Sequence, residues 1–502
     1  MKVISLTEYK LMLPMLELAI FAFGVLLIDL IIPREWKWLN AVGAFVGLVF
    51  AAICVWQVQA TLPGGAVGFS GALLVDHFAV FFWYLFLGAA GITVLMSGRY
   101  LDLEDEHSGE YYALLLLSVV GMMCMAAGID IVLIFIGLEL MAISTYVLVG
   151  FLRRERRSNE AAIKYFLLGA FSSGIFAYGL SIFYGLAGST NLQEIHRSIL
   201  AQNPRNPVIV IALLTTMTGL LFKIAAVPFH QWAPDAYEGA PTSISGFMSV
   251  AVKAAAWALL LRILIFALFP LRSVYVPIMV VVAIATMTLA NFAALSQTNT
   301  KRLLAYSSIA HVGYMLLAFV AMGTSEPGTP AFSDGFQGIL IYLLVYTFMN
   351  LGAFAVITSL RQRKVIGDEL DDMAGLYHRA PVEAVLMLLF LLSLAGIPPA
   401  AGFLGKYYIF LSLIESGHYG LAALGVVYSL LGLYYYLKIA NAMLIRESKE
   451  TKPLSVSIGM RCAVGVTALA TIVIGIYPEP FIQGVNRSLP TWAKPKPDTL
   501  RQ

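Results

Sequence analysis

The chain has 502 residues, of which 60% are hydrophobic and only 12% charged, and its net charge is +3. Soluble globular proteins carry about 25% charged residues, so this composition excludes an ordinary solvated surface, and so small a positive balance argues against a nucleic-acid-binding face. The apolar residues come in blocks of about twenty, the length that crosses a hydrocarbon core of roughly 30 Å. No charged start, short apolar core and small-residue cleavage site combine into a removable leader.

Taken in chain order, the candidate spans are 9–32, 39–59, 75–98, 111–127, 131–151, 161–186, 207–228, 242–268, 273–297, 302–323, 336–360, 382–415, 420–444 and 457–478. They predict an all-α polytopic membrane protein of about fourteen helices. Asp29 and Pro33 end the first run, which reads as a retained helix. The seventh meets Pro228 close to its end. The twelfth is too long for a plain helix and is interrupted by Pro398, Pro399 and Gly402. No connection is long enough to hold a second domain, and the polar tail from Lys494 to Gln502 is expected to be poorly ordered.

This order divides the chain into three N-terminal helices (1–110), two five-helix units (111–268 and 269–445) and a C-terminal helix with its tail (446–502). Two units with an odd number of spans run in opposite topology. A broken helix in each is the pattern of inverted repeats around an ion path at mid-membrane. The match is loose, because Lys223 precedes its proline whereas Lys406 follows its pair.

Basic residues set the orientation. The odd-numbered connections hold sixteen, namely Arg34, Lys37, Arg99, Arg153, Arg154, Arg156, Arg157, Lys301, Arg302, Arg361, Arg363, Lys364, Arg379, Arg446, Lys449 and Lys452. The even-numbered ones hold three, Arg197, Arg205 and Arg272. The odd connections are therefore expected in the cytoplasm and both termini on the opposite side. The seventh, with Asp235 and Glu238, lacks the basic pattern, but acidic residues weigh little in this rule.

Cys54, Cys124 and Cys462 lie far apart in apolar runs, as small hydrophobes do. They have no metal or iron–sulfur spacing, and neither a dinucleotide fingerprint nor a P-loop is present. The chain is expected to bring no cofactor of its own.

The informative residues are ionisable ones inside apolar runs. A charge at a helix centre costs about 2.5–3.5 kcal/mol on insertion scales, so it faces a partner or a water-filled path. Glu139 lies in IVLIFIGLELMAISTYVLVG, Lys223 in LLTTMTGLLFKIAAVPFH, Lys253 in ISGFMSVAVKAAAWALLL and Lys406 in GFLGKYYIFLSL; His311 follows LLAYSSIA. Lys164 and Lys438 sit near helix ends and can snorkel. Glu17 and Asp29 are read as structural, and His311 serves equally well as a packing residue or a carrier. A free lysine holds its proton too tightly to release it at neutral pH. Burial weakens that hold and a nearby carboxylate restores it. A buried lysine facing a movable glutamate is therefore a switchable proton carrier.

The segment FHQWAPDAYEGAPT (229–242) resembles a signature of the antiporter-like subunits of proton-pumping NADH:quinone oxidoreductase, respiratory complex I, and its YEGAPT ending is most similar to the N subunits. KRLLAYSSIAHVGYMLL (301–317), NEAAIKYFLLGAFSSGI (159–175) and AGIPPAAGFLGKYYIF (395–410) support the same likeness along nearly the whole chain. One departure is Ser243, where the family usually has proline. The resemblance implies proton transfer by a fifth-helix glutamate and seventh-helix lysine pair (Glu139, Lys223), a central lysine (Lys253), a tenth-helix histidine (His311) and a twelfth-helix lysine (Lys406). It also implies flavin and iron–sulfur clusters in partner subunits, quinone bound elsewhere in the complex, other membrane-arm subunits as partners, and a place in the inner (plasma) membrane. The alternative is a subunit of a multisubunit cation/proton antiporter, which shares the buried lysines. A stand-alone solute carrier lacks support, since no cluster of binding polar residues lies outside the lysine axis.

Overall fold

A computed structural model describes residues 6–106, 109–361, 367–447, 456–490 and 493–494. Among the described residues, thirteen helices are long and apolar enough to cross a membrane. The remaining crossing, the twelfth in chain order, is made of two shorter helices, Pro381–Ala395 and Ala401–Glu415. The expected all-α architecture of about fourteen spans is thus the observed one. The expectation for the tail beyond Lys494 lies outside the described residues, as do Arg363, Lys364, Lys449 and Lys452.

Short polar residues fix where several spans begin. Asp76 accepts from Ala79 N at the start of the third span, His77–Glu104. Asp130 accepts from Val132 N and Leu133 N at the fifth, Ile131–Val149. Asn206, Asn299 and Ser457 do the same for the seventh (Pro207–Ile224), tenth (Thr300–Thr324) and fourteenth (Ile458–Ile476). Each satisfies backbone N–H groups that have no partner within the helix.

Burial separates a centre from a rim. The eighth span, Thr242–Ala267, and the tenth are 94% buried along their most apolar stretch, whereas the thirteenth, Tyr419–Leu444, is 28% buried there. A helix that is apolar all round and wholly enclosed belongs to the core. Chemistry carried on the eighth and tenth spans is therefore shielded from lipid by the others.

Several boundaries move outward from the sequence reading. The third span continues to Glu104, the sixth begins at Arg156 and the eleventh at Pro330. Arg99, Arg156, Arg157, Arg272, Lys301 and Arg302, assigned above to connections, thus lie within helix ends. Three short helices, Leu192–Leu200, Trp232–Gly239 and Glu479–Ser488, and a hairpin pairing Ala66–Gly68 with Leu73–Val75 have no counterpart in the sequence reading. They lie in connections, where no long apolar period announces them.

Candidate functional site: a lysine axis through two broken helices

The seventh helix stops at Ile224 because Ala225 turns left-handed (φ 59°), and Pro228 offers no N–H to resume the ladder. The twelfth stops at Ala395 because Gly396 turns left-handed (φ 83°), with Pro399 three residues on. The Val227–Pro228 and Pro398–Pro399 peptides are both cis. Left-handed residue and proline share one spacing in the two halves, a closer match than the lysine positions suggested.

Lys223 is the penultimate residue of Pro207–Ile224 and is 2% exposed. Its ammonium lies 3.5 Å from the Tyr146 hydroxyl, the outer limit of a hydrogen bond, and 5.7 Å from the centre of that ring. Glu139 lies two helical turns before Tyr146 on the fifth helix. However, no ion pair joins Glu139 to Lys223 among the described residues, and Glu139 Oε1 is buried without a hydrogen-bond partner. The expected pair is therefore not a direct contact here. Glu139 continues the three-and-four spacing of Val132, Ile136, Ile143 and Val147, which are exposed on the outer side of the fifth helix. That placement keeps the carboxylate off Lys223.

Lys253 follows a wide π-helical turn, Met248–Val252, inside the eighth span. Such turns are rare and occur frequently at functional sites. Its ammonium donates to Ser308 Oγ and lies 5.8 Å from the Tyr237 ring centre. Ser308 and His311 are three residues apart on the tenth helix and so share a face. His311 Nδ1 meets the Tyr342 hydroxyl, and Nε2 meets the Tyr436 hydroxyl at 2.9 Å; Tyr436 also meets Ser307. Lys406 donates to the Ala395 carbonyl at 2.6 Å and to Ser429 Oγ at 2.7 Å, with the Tyr314 ring centre 5.2 Å away.

The structure thus gathers Lys253, His311 and Lys406 along one polar track, and holds Lys223 to one side. Rings connect the two parts: Tyr146 packs on Tyr165 (4.6 Å between centres), Tyr165 stacks on Trp232 (4.4 Å), and Trp232 meets Tyr237 beneath Lys253 (6.3 Å). Lys164 and Lys438 fall outside the track. Lys164 pairs with Glu160 at 2.7 Å and Asp235 at 3.0 Å, and Lys438 caps the carbonyls of Leu295 and Gln297. Asp29 is paired with Lys37 at 2.8 Å. Glu17 faces the Cys54 thiol at 3.8 Å.

Sequence reasoning missed the buried settings of three groups. Arg262, wholly buried, binds both oxygens of Asp76 (2.9 and 2.6 Å) and the Ala126 carbonyl. Its signal was available, a lone arginine in LLRILIF. Lys301, counted as a connection charge, is 3% exposed and donates to the Ala240 carbonyl at 2.6 Å. Ser243, the departure from the family pattern, hydrogen-bonds Tyr111 at 2.8 Å, which in turn meets Ser97 at 2.7 Å. The substitution thereby ties the eighth span to the third and fourth.

Fold and track together define a class: polytopic membrane proteins built around two broken helices, with basic residues strung through the enclosed spans. Residues 128–432 match the family model described as "NADH:quinone oxidoreductase/Mrp antiporter, TM". The chain is 60% identical over 496 residues to NADH-quinone oxidoreductase subunit N 1 of Koribacter versatilis, covering 97% of this chain and 96% of that one. A chain of respiratory complex I from Thermus thermophilus superposes with a TM-score of 0.78 at 32% identity, covering 94% and 99% of the two. A chain of the Mrp complex from Dietzia shares the fold at 19% identity, with a TM-score of 0.79 and coverage of 95% and 96%. The chain belongs to the antiporter-like family of NADH:quinone oxidoreductase membrane subunits, in its N branch.

Proposed function

We propose that the chain translocates protons in the membrane arm of an NADH (or related donor):quinone oxidoreductase, with Glu139, Lys223, Lys253, His311 and Lys406 as the carriers. Electrons pass in partner subunits, which hold flavin and iron–sulfur clusters and the quinone site. The observation that supports this reading best is the track Lys253–Ser308–His311–Lys406, four polar side chains enclosed at membrane depth where each charge is costly.

Lys223 takes a proton while Glu139 favours its charged form, and gives it up when the carboxylate's influence is withdrawn. Through water the proton reaches Lys253, whose Ser308 contact leads one helical turn along to His311. The two tyrosine hydroxyls on the imidazole can each donate or accept, so His311 can relay in either direction. Lys406 receives last. The positive-inside count supports odd connections in the cytoplasm and both termini on the opposite side, an orientation in which Lys223 lies nearer the entry. The division into two five-helix units, 111–268 and 269–445, belongs to the same reading.

A cation/proton antiporter subunit would use similar lysines, but the full-length likeness at 60% is to an N subunit, whereas the Mrp chain shares the fold alone. The test is co-purification followed by proteoliposome assay. We expect a peripheral arm bearing nucleotide and flavin sites to accompany the chain, and quinone-coupled pumping to fall in Lys253→Ala per assembled complex. Purification with antiporter subunits only, or unchanged pumping in that variant, would overturn the proposal.

A further inference from the structure

A second concave site lies away from the lysine axis, between the third span, the eleventh (Pro330–Ser359) and the short helix Glu479–Ser488. It is a groove of about 410 Å³. At its mouth stand Gln59, His77, Arg487 and Ser488; its floor is apolar, running past Val80, Phe81 and Leu85 to Gly88, with Leu344 and Phe348 opposite. Two polar residues lie at that depth, Tyr84 and Thr347, and Thr347 spends its hydroxyl on the Leu343 carbonyl.

Three features say what fits. The first is depth. From His77 to Gly88 is eleven residues, about 16 Å at 1.5 Å per residue, close to half of a hydrocarbon core of roughly 30 Å. The groove is therefore one leaflet deep. The second is that its width comes from missing side chains. A Cβ placed on Gly88 or on Gly484 would meet nothing within 4 Å. The third is charge. Among the described residues no carboxylate lines the groove, and the exposed Arg487 guanidinium has no hydrogen bond or ion pair there. The mouth gathers the end of the second span, the start of the third and the helix that follows the fourteenth, all of which reach the same side of the membrane. Glu479–Ser488 turns Val485 inward and Arg487 outward, the arrangement of a helix lying in the interface plane.

We propose that this groove is a binding site for one anionic phospholipid, its phosphate held by Arg487 and His77 and one acyl chain laid along the third span to Gly88. The inference rests on the transmembrane fold and is independent of which residues carry protons. Bound there, the lipid joins the Glu479–Ser488 helix to the third and eleventh spans.

The experiment uses the assembled complex in mild detergent, loaded with phosphatidylglycerol bearing a diazirine midway along one acyl chain, or with the matching phosphatidylcholine. After irradiation, adducts are mapped by mass spectrometry. We expect phosphatidylglycerol adducts within 77–89, 344–348 and 479–489, with phosphatidylcholine labelling weaker. Arg487→Gln should reduce the phosphatidylglycerol signal about fivefold, the effect of one basic group at an anionic headgroup. Gly88→Leu, which fills the floor, should abolish it for both lipids. Should Gly88→Leu not assemble, Gly484→Leu fills the slot from the other wall. Labelling unchanged in the variants, adducts scattered over the outer spans, or a cross-link from this groove to a neighbouring subunit in place of lipid would each overturn the proposal.

Discussion

The two broken helices share a backbone and differ in what fills it. In the first break the Phe222 carbonyl accepts from the Trp232 indole at 2.9 Å and from Ala225 N at 3.0 Å, and Lys223 is left with a long contact to Tyr146. In the second break the Ala395 carbonyl is taken by Lys406 itself, with Ser429 Oγ a more distant 3.4 Å. The last carbonyls of any helix lack partners within it, and that end carries partial negative charge. The carbonyls differ in place, Phe222 standing three residues before the left-handed Ala225 and Ala395 one before the left-handed Gly396. One break thus gives a last-turn carbonyl to a neutral donor, and the other gives a later one to a cation. The comparison teaches that a helix break supplies an acceptor, and that the residue filling it decides whether the nearby lysine is anchored or loosely held. On the proposed path, a loosely held lysine would respond to a moving glutamate, and an anchored one would keep a fixed place at the end.

The largest expected effect is at the anchored lysine. Lys406→Ala should abolish most pumping and also destabilise the complex, because a buried carbonyl stripped of its main donor costs about 1–3 kcal/mol. Lys223→Ala should cut pumping comparably while changing thermal stability less, since its ammonium has one marginal hydrogen bond. Pumping in proteoliposomes and thermal melting of the assembled complex measure the two separately. Equal melting losses would erase the distinction between anchored and loose.

Next comes Glu139. Glu139→Gln keeps shape but removes the charge that favours the protonated Lys223, so turnover and pumping should fall together with assembly intact. Glu139→Asp keeps the charge on a shorter arm and should retain more activity. Native gels give assembly and vesicle assays give pumping per complex; normal pumping in Glu139→Gln would leave this carboxylate without a carrier role.

A smaller effect is expected from Trp232→Phe. The ring stacked on Tyr165 stays, the indole N–H goes, and Phe222 keeps its bond from Ala225 N. The loss should be about 0.5–1.5 kcal/mol, the ordinary worth of one hydrogen bond, seen as a lower melting temperature with pumping near normal. A large pumping defect would show that the donor filling the first break also positions Lys223.

Legibility in the sequence followed the same physics. The lysines stood out because each interrupts an apolar run, and the second break announced itself through Pro398, Pro399 and Gly402, although the left-handed residue that ends the helix is Gly396. The first break was half visible: Pro228 showed, but the left-handed residue is Ala225, a type that gives no such warning. Arg262 carried a signal that was overlooked. Its partner Asp76 lies 186 positions away, and only the folded chain brings them together. The hydrogen bond from Lys253 to Ser308 is likewise invisible in sequence, because it joins two spans through a side chain that looks like ordinary helix polarity. Glu139 was legible as a buried charge, but its position beside an exposed stripe depends on which face of the fifth helix packs inward, and that helix is apolar all round.

The smallest effect belongs to Lys164, and it bounds the comparison from outside. Lys164 resembles the track lysines in lying within a span, at the ninth residue of Arg156–Ala187. Its ammonium, however, reaches out to Glu160 and Asp235 with nearly half of the side chain exposed. Exposed ion pairs contribute about 0–1 kcal/mol, and this one is further relieved because Arg302 also holds Asp235 at 2.6 Å. Removing Lys164 therefore leaves a carboxylate that is still paired, and the proposed path does not run through it. Lys164→Ala should melt within a few degrees of the unaltered complex and pump nearly as well. If it instead pumped as poorly as Lys223→Ala, depth and enclosure would not be what separates a carrier from a surface lysine, and the ionic cluster of Lys164, Asp235 and Arg302 would have to be counted as part of the proton path.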